Sequence, residues 1–365
     1  MTTTGAANVV APPATPAPAP TVLAAWTATV LQALDACGVD GLALARTAGI
    51  DVALFDVDGA RIPLVQSTEL WRLAVDATGD PCFGLEVSRF VRPTTFQGLS
   101  MGIIASGTFR DALDRIVRFS PLVLSDGPVH DDLVECGGRC VYTSRTEPVD
   151  LRPSDESREA ILATIVRTAR FLAGGDVSPS EVWLERPEAP SSSRFERFFR
   201  CPVRYGADHY RMVFDADVAN RPLRTGCDDL ARTADRLAAD YLERVRLAAP
   251  VADRVRAVVA GFPTGQVVSA EMVASRLAMS SRTMQRHLQA EGTTFRDVIA
   301  DDRIRRAKRL IATEGLGALQ LAHRLGFSDP AAFRRAFKRR TGMTAGEFAT
   351  QVRSPRSVAS AQDGV

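Results

Sequence analysis

Five cationic side chains, Arg334, Arg335, Lys338, Arg339 and Arg340, crowd around Phe333, Ala336 and Phe337. The i, i+3, i+4 spacing of the apolar three makes one side of a helix fit for packing. A helix packed on one face and cationic on the other suits a duplex groove lined by phosphates. A second set of side chains has different chemistry. Arg282, Gln285, Arg286 and Gln289 surround Met284 and Leu288, which recur at i, i+4. Arg and Gln are the side chains that form paired hydrogen bonds with guanine and adenine edges in the major groove. Taken alone, either stretch also fits a basic solvated face on an ordinary core helix.

The elements that must hold these side chains repeat one plan, and the repetition weighs against the plain reading. Upstream of the cationic helix, Ala318, Leu321, Ala322 and Leu325 fall at helical spacing. Gly326 then stops that helix, because glycine accepts a left-handed backbone. Ser328 or Asp329 caps the next helix and Pro330 suits its first turn. Upstream of the Arg/Gln helix, Ser269 caps a helix with Met272, Val273 and Leu277 on its apolar face, and Ser280 or Ser281 caps the next. Residues 295–313 read as one connecting helix. Phe295, Val298, Ile299, Ile304, Ala307, Leu310 and Ile311 face inward there, with Arg303, Arg305, Arg306, Lys308 and Arg309 outside.

Two helix-turn-helix units joined in this way resemble the AraC/XylS family of bacterial transcription regulators. The resemblance covers residues 251–352 and is most specific in LGFSDPAAFRRAFKRRTGMT, residues 325–344. It implies that Arg282, Gln285 and Arg286 fall where a first recognition helix reads bases. It likewise implies that Pro330, Ala331, Ala332 and Arg335 fall where a second meets the groove, with Arg334, Lys338 and Arg339 near the DNA backbone. The sequence departs from the family pattern at three places. One residue is missing between Glu291 and Gly292, His287 stands at a usual apolar core position, and Ala345 replaces a common proline. Ala331 and Ala332 are too short for hydrogen-bonded readout and offer only apolar contact, for example to a thymine methyl. Base discrimination is therefore expected mostly from the first unit and Arg335.

Charge separates the chain. Its formal net charge of +2 hides 17 Lys+Arg against 9 Asp+Glu in residues 251–350, and 26 against 33 in residues 1–250. A basic module beside an acidic one points to nucleic acid for the first and another partner for the second. Six cysteines and four histidines show no zinc-finger spacing. Cys136 and Cys140 flank a Gly-Gly-Arg turn and are placed to face each other across a hairpin; reduced thiols in a cytoplasmic protein are the default. No stretch is apolar enough to span a bilayer. Residues 1–21, rich in Ala, Pro and Thr, and residues 353–365 read as disordered tails.

Residues 22–247 read as an α+β effector and dimerisation domain, ahead of an all-α domain with two helix-turn-helix units. Helical spacing is expected over 22–36, 42–48, 67–78 and a segment capped by Thr108, with short apolar stretches at 83–91 and 96–104. A hairpin over 129–136 and 140–145, a long helix over 154–172, strands at 181–185 and 209–214, a short helix at 194–199 and a helix over 227–247 complete it. Residues 248–251 read as a linker. Residues 83–119 and 198–223 resemble the amino-terminal effector domain of one AraC branch, described as arabinose-binding-like; that description does not make arabinose the ligand. Trp71, Phe96 and Ile104 are the candidate effector-binding residues, on the ground that pockets are mostly apolar. Trp26 and Trp183 are further aromatic candidates.

No nucleophile elbow, Walker loop or HExxH motif is present, and the reading includes no catalytic residue, metal or cofactor. The expected function is a sequence-specific transcription regulator that binds promoter DNA as a homodimer, responds to a small-molecule effector, and contacts RNA polymerase if it activates. Two alternatives are a constitutive regulator whose first domain only dimerises, and an enzyme fused to a DNA-binding tail.

Overall fold

The computed structural model describes residues 20–353 apart from 126, 148–150, 176 and 190. The expected tails lie largely outside these residues, but Pro20, Thr21 and Arg353 belong to the fold. The chain divides into two compact units between Val245 and Arg246.

The first unit opens with β1 (Thr21–Leu23), which runs directly into α1 (Ala24–Ala36) and α2 (Gly41–Thr47). β2 (Arg61–Pro63) leads into α3 (Leu64–Thr78), followed by α4 (Phe83–Val87), α5 (Gly98–Ile104) and α6 (Phe109–Arg118). α6 begins in a reciprocal cap: Thr108 Oγ1 accepts the Asp111 N–H, and the Asp111 carboxylate accepts the Thr108 N–H. β3 (Leu124–Ser125) completes a small antiparallel sheet in the order β2-β1-β3. Sequence periodicity does not show this sheet, because strands of two or three residues are too short to establish a period of two.

The hairpin β4 (Val129–Cys136) and β5 (Arg139–Thr146) is followed by α7 (Asp155–Ala173), β6 (Glu181–Trp183), α8 (Ser193–Phe199), β7 (Val203–Arg204), β8 (Tyr210–Asp215), α9 (Ala216–Ala219) and α10 (Asp228–Ala248). The five strands order as β4-β5-β8-β6-β7, antiparallel except for the β6–β7 pair. β4 is an edge strand and carries His130, Asp131, Asp132 and Glu135, charges that discourage pairing with another chain. Ser154 caps α7 and Gly174 ends it in the left-handed region. Ala160, Ala163, Ile165, Val166 and Ala169 are buried along it. α4 packs so closely on α7 that a Cβ on Gly84 would overlap the Glu156 carbonyl oxygen. Trp26, Trp71, Phe83, Phe109, Tyr142 and Phe214 are fully buried in the core that joins both sheets to these helices.

The hairpin register corrects one expectation. Cys136 pairs with Arg139 and Cys140 with Glu135, so the two thiols occupy adjacent register positions and point to opposite faces. Cys136 is exposed, Cys140 is buried, and both are free. The expected linker is also shorter: α10 reaches Ala248 and the next helix starts at Val251.

The second unit is helical: α11 (Val251–Ala260), α12 (Ala270–Arg276), α13 (Ser281–Ala290), α14 (Phe295–Glu314), α15 (Ala318–Arg324), α16 (Pro330–Thr341) and α17 (Ala345–Arg353). It has two cores. Val255, Val259, Val273, Met284, Leu288 and Val298 form the first; Ile304, Ile311, Leu321, Phe333, Phe337 and Phe348 form the second. α14 contributes to both. Its 20 residues correspond to roughly 30 Å at 1.5 Å per residue.

Candidate nucleic-acid interface and an internal cavity

α12 and α13 form one helix-turn-helix, and α15 and α16 form the other. Ser269, Ser280 and Asp329 cap α12, α13 and α16 by accepting backbone N–H groups at 3.2, 3.0 and 2.7 Å. The Asp329 carboxyl is held below its ordinary range, first by the Ala332 N–H. Capping fixes where each second helix starts, and so which residues its inner face presents. On α13 these are Met284 and Leu288; on α16 they are Phe333 and Phe337, and all four are fully buried.

The outer faces are left free. The side chains of Arg282, Gln285, Arg286, Arg334, Arg335, Lys338 and Arg339 are exposed and make no hydrogen bond or ion pair among the described residues. Pro330, Ala331 and Ala332 are partly exposed in the first turn of α16.

Other cations in the same unit are committed elsewhere. Arg340 pairs with Asp297 at 2.7 Å and with Asp301, tying α16 to α14. Arg306 donates to Asp302 at 2.7 Å and to the carbonyl oxygens of Val259, Ala260 and Phe262 at 3.0, 3.1 and 2.9 Å. It thereby satisfies carbonyls at the C-terminus of α11 that have no partner within the helix. Arg303 lies over Phe327 and Lys308 over Phe348. The expected outward row on α14 is therefore largely structural. His287 is exposed, so it does not occupy a core position; Met284 and Leu288 supply the buried face without it.

The first unit encloses a cavity of about 390 Å³ between α5, α7 and the two sheets. Phe96 and Ile104 line it, as does Trp26. Trp71 does not: it stands behind Trp26 at 6.4 Å between ring centroids and against Phe83 at 6.2 Å. Trp183 lies apart, between Arg204 and Arg211. The lining also holds Asp131, Tyr142 and Arg158. Asp131 accepts from the Tyr142 hydroxyl at 3.0 Å and from Ser144, and Arg158 stands 3.9 Å from it. Burial, then the Asp131 charge, pushes the Tyr142 phenol well above its ordinary pKa.

Comparison with known proteins agrees with this two-part build. The model of the arabinose-binding domain of AraC transcription regulators, N-terminal, matches residues 38–223, and a helix-turn-helix domain model matches residues 273–351. The chain belongs to the AraC family. It is a DNA-binding transcription regulator. The ornithine utilization regulator of Pseudomonas aeruginosa is 23% identical to it over 336 residues, 89% of this chain and 95% of that one. The regulator VirS of Mycobacterium tuberculosis is 32% identical over 193 residues, 52% of this chain and 55% of VirS. The crystal structure of the transcriptional regulator CdpR from Pseudomonas aeruginosa is 19% identical, covering 88% of this chain and 97% of that one with a TM-score of 0.42.

In this AraC-family chain the sequence reading missed the polar lining of the cavity. Arg158 carried the one available signal. It lies on the same helical face as Ile161, Ile165 and Leu172, and a cation aligned with apolar residues marks either a buried ion pair or a site. Among the described residues, no group of three His, Cys, Asp or Glu could hold a metal, and no helix is long and apolar enough to cross a membrane.

Proposed function

We propose that residues 251–352 are the DNA-binding module and that residues 22–247 bind an effector and dimerise. In this reading Arg282, Gln285 and Arg286 take base edges. Arg334, Lys338 and Arg339 take phosphates, Arg335 reaches the groove, and Pro330, Ala331 and Ala332 make apolar contact there. The observation that carries it is the sorting of cations: those on the outer faces of α13 and α16 form no hydrogen bond or ion pair among the described residues, while Arg306 and Arg340 are spent on the fold. The roughly 30 Å length of α14 is close to one DNA turn of about 34 Å, which suits two second helices entering successive major grooves.

The protein acts in the cytoplasm on promoter DNA, as a homodimer, and regulates without catalysing a reaction. A small molecule in the cavity shifts the population of DNA-competent states, and RNA polymerase is a further partner where the outcome is activation. The test is selection of bound duplexes by the full chain, followed by footprinting and a salt series. Each chain should protect about 20 base pairs, one turn per reader, and log affinity should fall with log salt by about 0.9 per phosphate contacted. Salt-insensitive binding, or protection of a single groove segment, overturns the assignment.

A further inference from the structure

The cavity of the first unit lies along α7, whose lining residues run from Ser157 to Phe171, a rise of roughly 21 Å at 1.5 Å per residue. Most of the wall is apolar, with Trp26, Phe96, Leu99, Ile103 and Ile165 among its residues. The exposed lining residues are Arg89, Arg92, Pro93 and Phe171. They mark the mouth, at the C-terminal end of α7.

Charge in the lining is unbalanced. Four guanidiniums, of Arg89, Arg92, Arg158 and Arg167, share the cavity with one carboxylate, that of Asp131. Two of the four have acidic partners: Arg89 pairs with Glu86 at 2.8 Å, and Arg158 stands 3.9 Å from Asp131. The other two, both near the mouth, have none. Arg92 is exposed with no side-chain hydrogen bond or ion pair among the described residues. Arg167 donates through Nε to the buried Ser88 hydroxyl at 2.7 Å and lies over the Phe198 ring at 5.3 Å; it forms no ion pair among the described residues. Burial, and next the charge of Arg89, disfavours the charged form of Arg167, and the charge of Glu86, which is paired with Arg89, supports that form less than these two oppose it. Deeper in, the Nε of Arg158 is buried without an acceptor.

We propose that this cavity binds an aliphatic carboxylate, with its chain along the apolar wall and its carboxylate at Arg92 and Arg167. The proposal rests on the reading of the cavity as the effector site. A partly desolvated cation without a counter-ion is unfavourable, and a carboxylate supplies charge-assisted hydrogen bonds to the free guanidinium nitrogens. A neutral chain would leave both guanidiniums unpaired, and a cationic amphiphile would meet like charge.

The test is calorimetric titration of the full chain with dodecanoate, dodecanol and dodecyltrimethylammonium, each kept below its micelle concentration. Dodecanoate should bind once per chain, about tenfold or more tighter than dodecanol, given the strength of charge-assisted bonds. The double variant Arg92→Gln, Arg167→Gln, with its folding checked by melting curve, should bring dodecanoate down to the level of dodecanol and leave dodecanol binding unchanged. Equal binding of all three probes, preference for the cation, or an unaffected double variant overturns the head-group assignment. Absence of binding by every probe overturns the ligand class. The effector reading is judged separately, with Ile103→Trp filling the cavity, or Ile103→Phe where the larger ring unfolds the unit. A change in DNA affinity keeps the cavity as a control point. Unchanged DNA affinity in the folded variant removes the effector reading as well.

Discussion

The two helix-turn-helix pairs share a backbone plan and are built from different materials. The first, α12–α13, packs mainly aliphatic side chains around Met284 and Leu288, with Phe262 and Phe295 at its side. Glu291 ties it to α11 by accepting the Val251 and Ala252 N–H groups at 2.8 and 2.7 Å. The second, α15–α16, is organised by rings: Phe327, Phe333, Phe337 and Phe348 follow one another at 5.5, 5.6 and 6.0 Å between centroids. The turns differ too. Gly326 takes the left-handed conformation in the second at φ 68°, whereas Ala278 takes it in the first at φ 54°. The inner faces therefore reach one geometry by unlike packing. The outer faces also differ, with two arginines and a glutamine against four cations, and no buried contact constrains either set. Packing decides that a second helix is presented; its surface composition is free to decide what it addresses.

The largest effect that separates the pairs should come from their cores. Phe333→Ala should cost about 3–5 kcal/mol, and Met284→Ala about 2–5 kcal/mol, each through the lost burial and the cavity left behind. Chemical denaturation of the full chain, followed by a probe in each pair, would show whether one pair melts ahead of the other. Coincident loss of both pairs in each variant would mean that α14 makes them a single cooperative body.

The contrast between outer faces is tested on DNA. Arg286→Ala and Gln285→Ala should each relax base preference at one position, at a cost of about 1–3 kcal/mol. Lys338→Ala should weaken all sequences about equally and lower the salt slope by about one unit. Selections on randomised sites distinguish these. Were Lys338→Ala to change the preferred sequence while Arg286→Ala did not, the roles of reader and anchor would be reversed.

Exchanging the turns gives a smaller effect of opposite sign. Gly326→Ala should destabilise by about 1 kcal/mol, and Ala278→Gly should stabilise by up to about 1 kcal/mol, since a Cβ disfavours the left-handed region. Gly326 has ordinary space for a Cβ, so conformational preference alone is measured there. Equal-sign shifts in melting temperature would remove that explanation.

The smallest effect concerns acid. The Asp297 carboxyl is held below its usual value of 3.8, first by the Thr294 hydroxyl and then by Arg340. A depressed carboxyl contributes stability above its unfolded pKa and loses it as pH falls through the folded value. Melting temperatures at pH 7 and pH 3 should therefore differ less in Asp297→Asn than in the parent. An unchanged difference would show that the Arg340 link adds nothing to acid sensitivity.

The sequence shows α12 to α16 because they have 3.6-residue periodicity and, except for α15, a Ser, Thr or Asp cap; it does not mark α11, which starts behind Pro250, or α17. It shows the β4–β5 hairpin because the Gly137-Gly138 turn separates two strand-like runs. It concealed which cations are free. Arg340 and Arg334 look alike in sequence, and only the fold brings Asp297 and Asp301, about forty positions away, to Arg340. The same holds for Arg306 and the end of α11. The cavity was harder still, since its wall is assembled from β1, α1, α5, α6, the hairpin and α7. Trp71 has the apolar side chain that a pocket wall favours, but its ring is spent on core stacking.

α14 also bears on how the DNA-binding half can be recombined. The two helix-turn-helix pairs look like interchangeable cassettes, yet Val298 belongs to one interior, while Ile304, Ala307 and Ile311 belong to the other. A graft that swaps one pair for a relative's must therefore be spliced inside a continuous helix, between positions 298 and 304. Asp297 lies on the amino-terminal side of that splice, so the retained half must supply it and the splice must fall before Asp301, or Arg340 arrives without its counter-charges. A chimera joined at the surface turns instead would bring two interiors that were never fitted to the same rod.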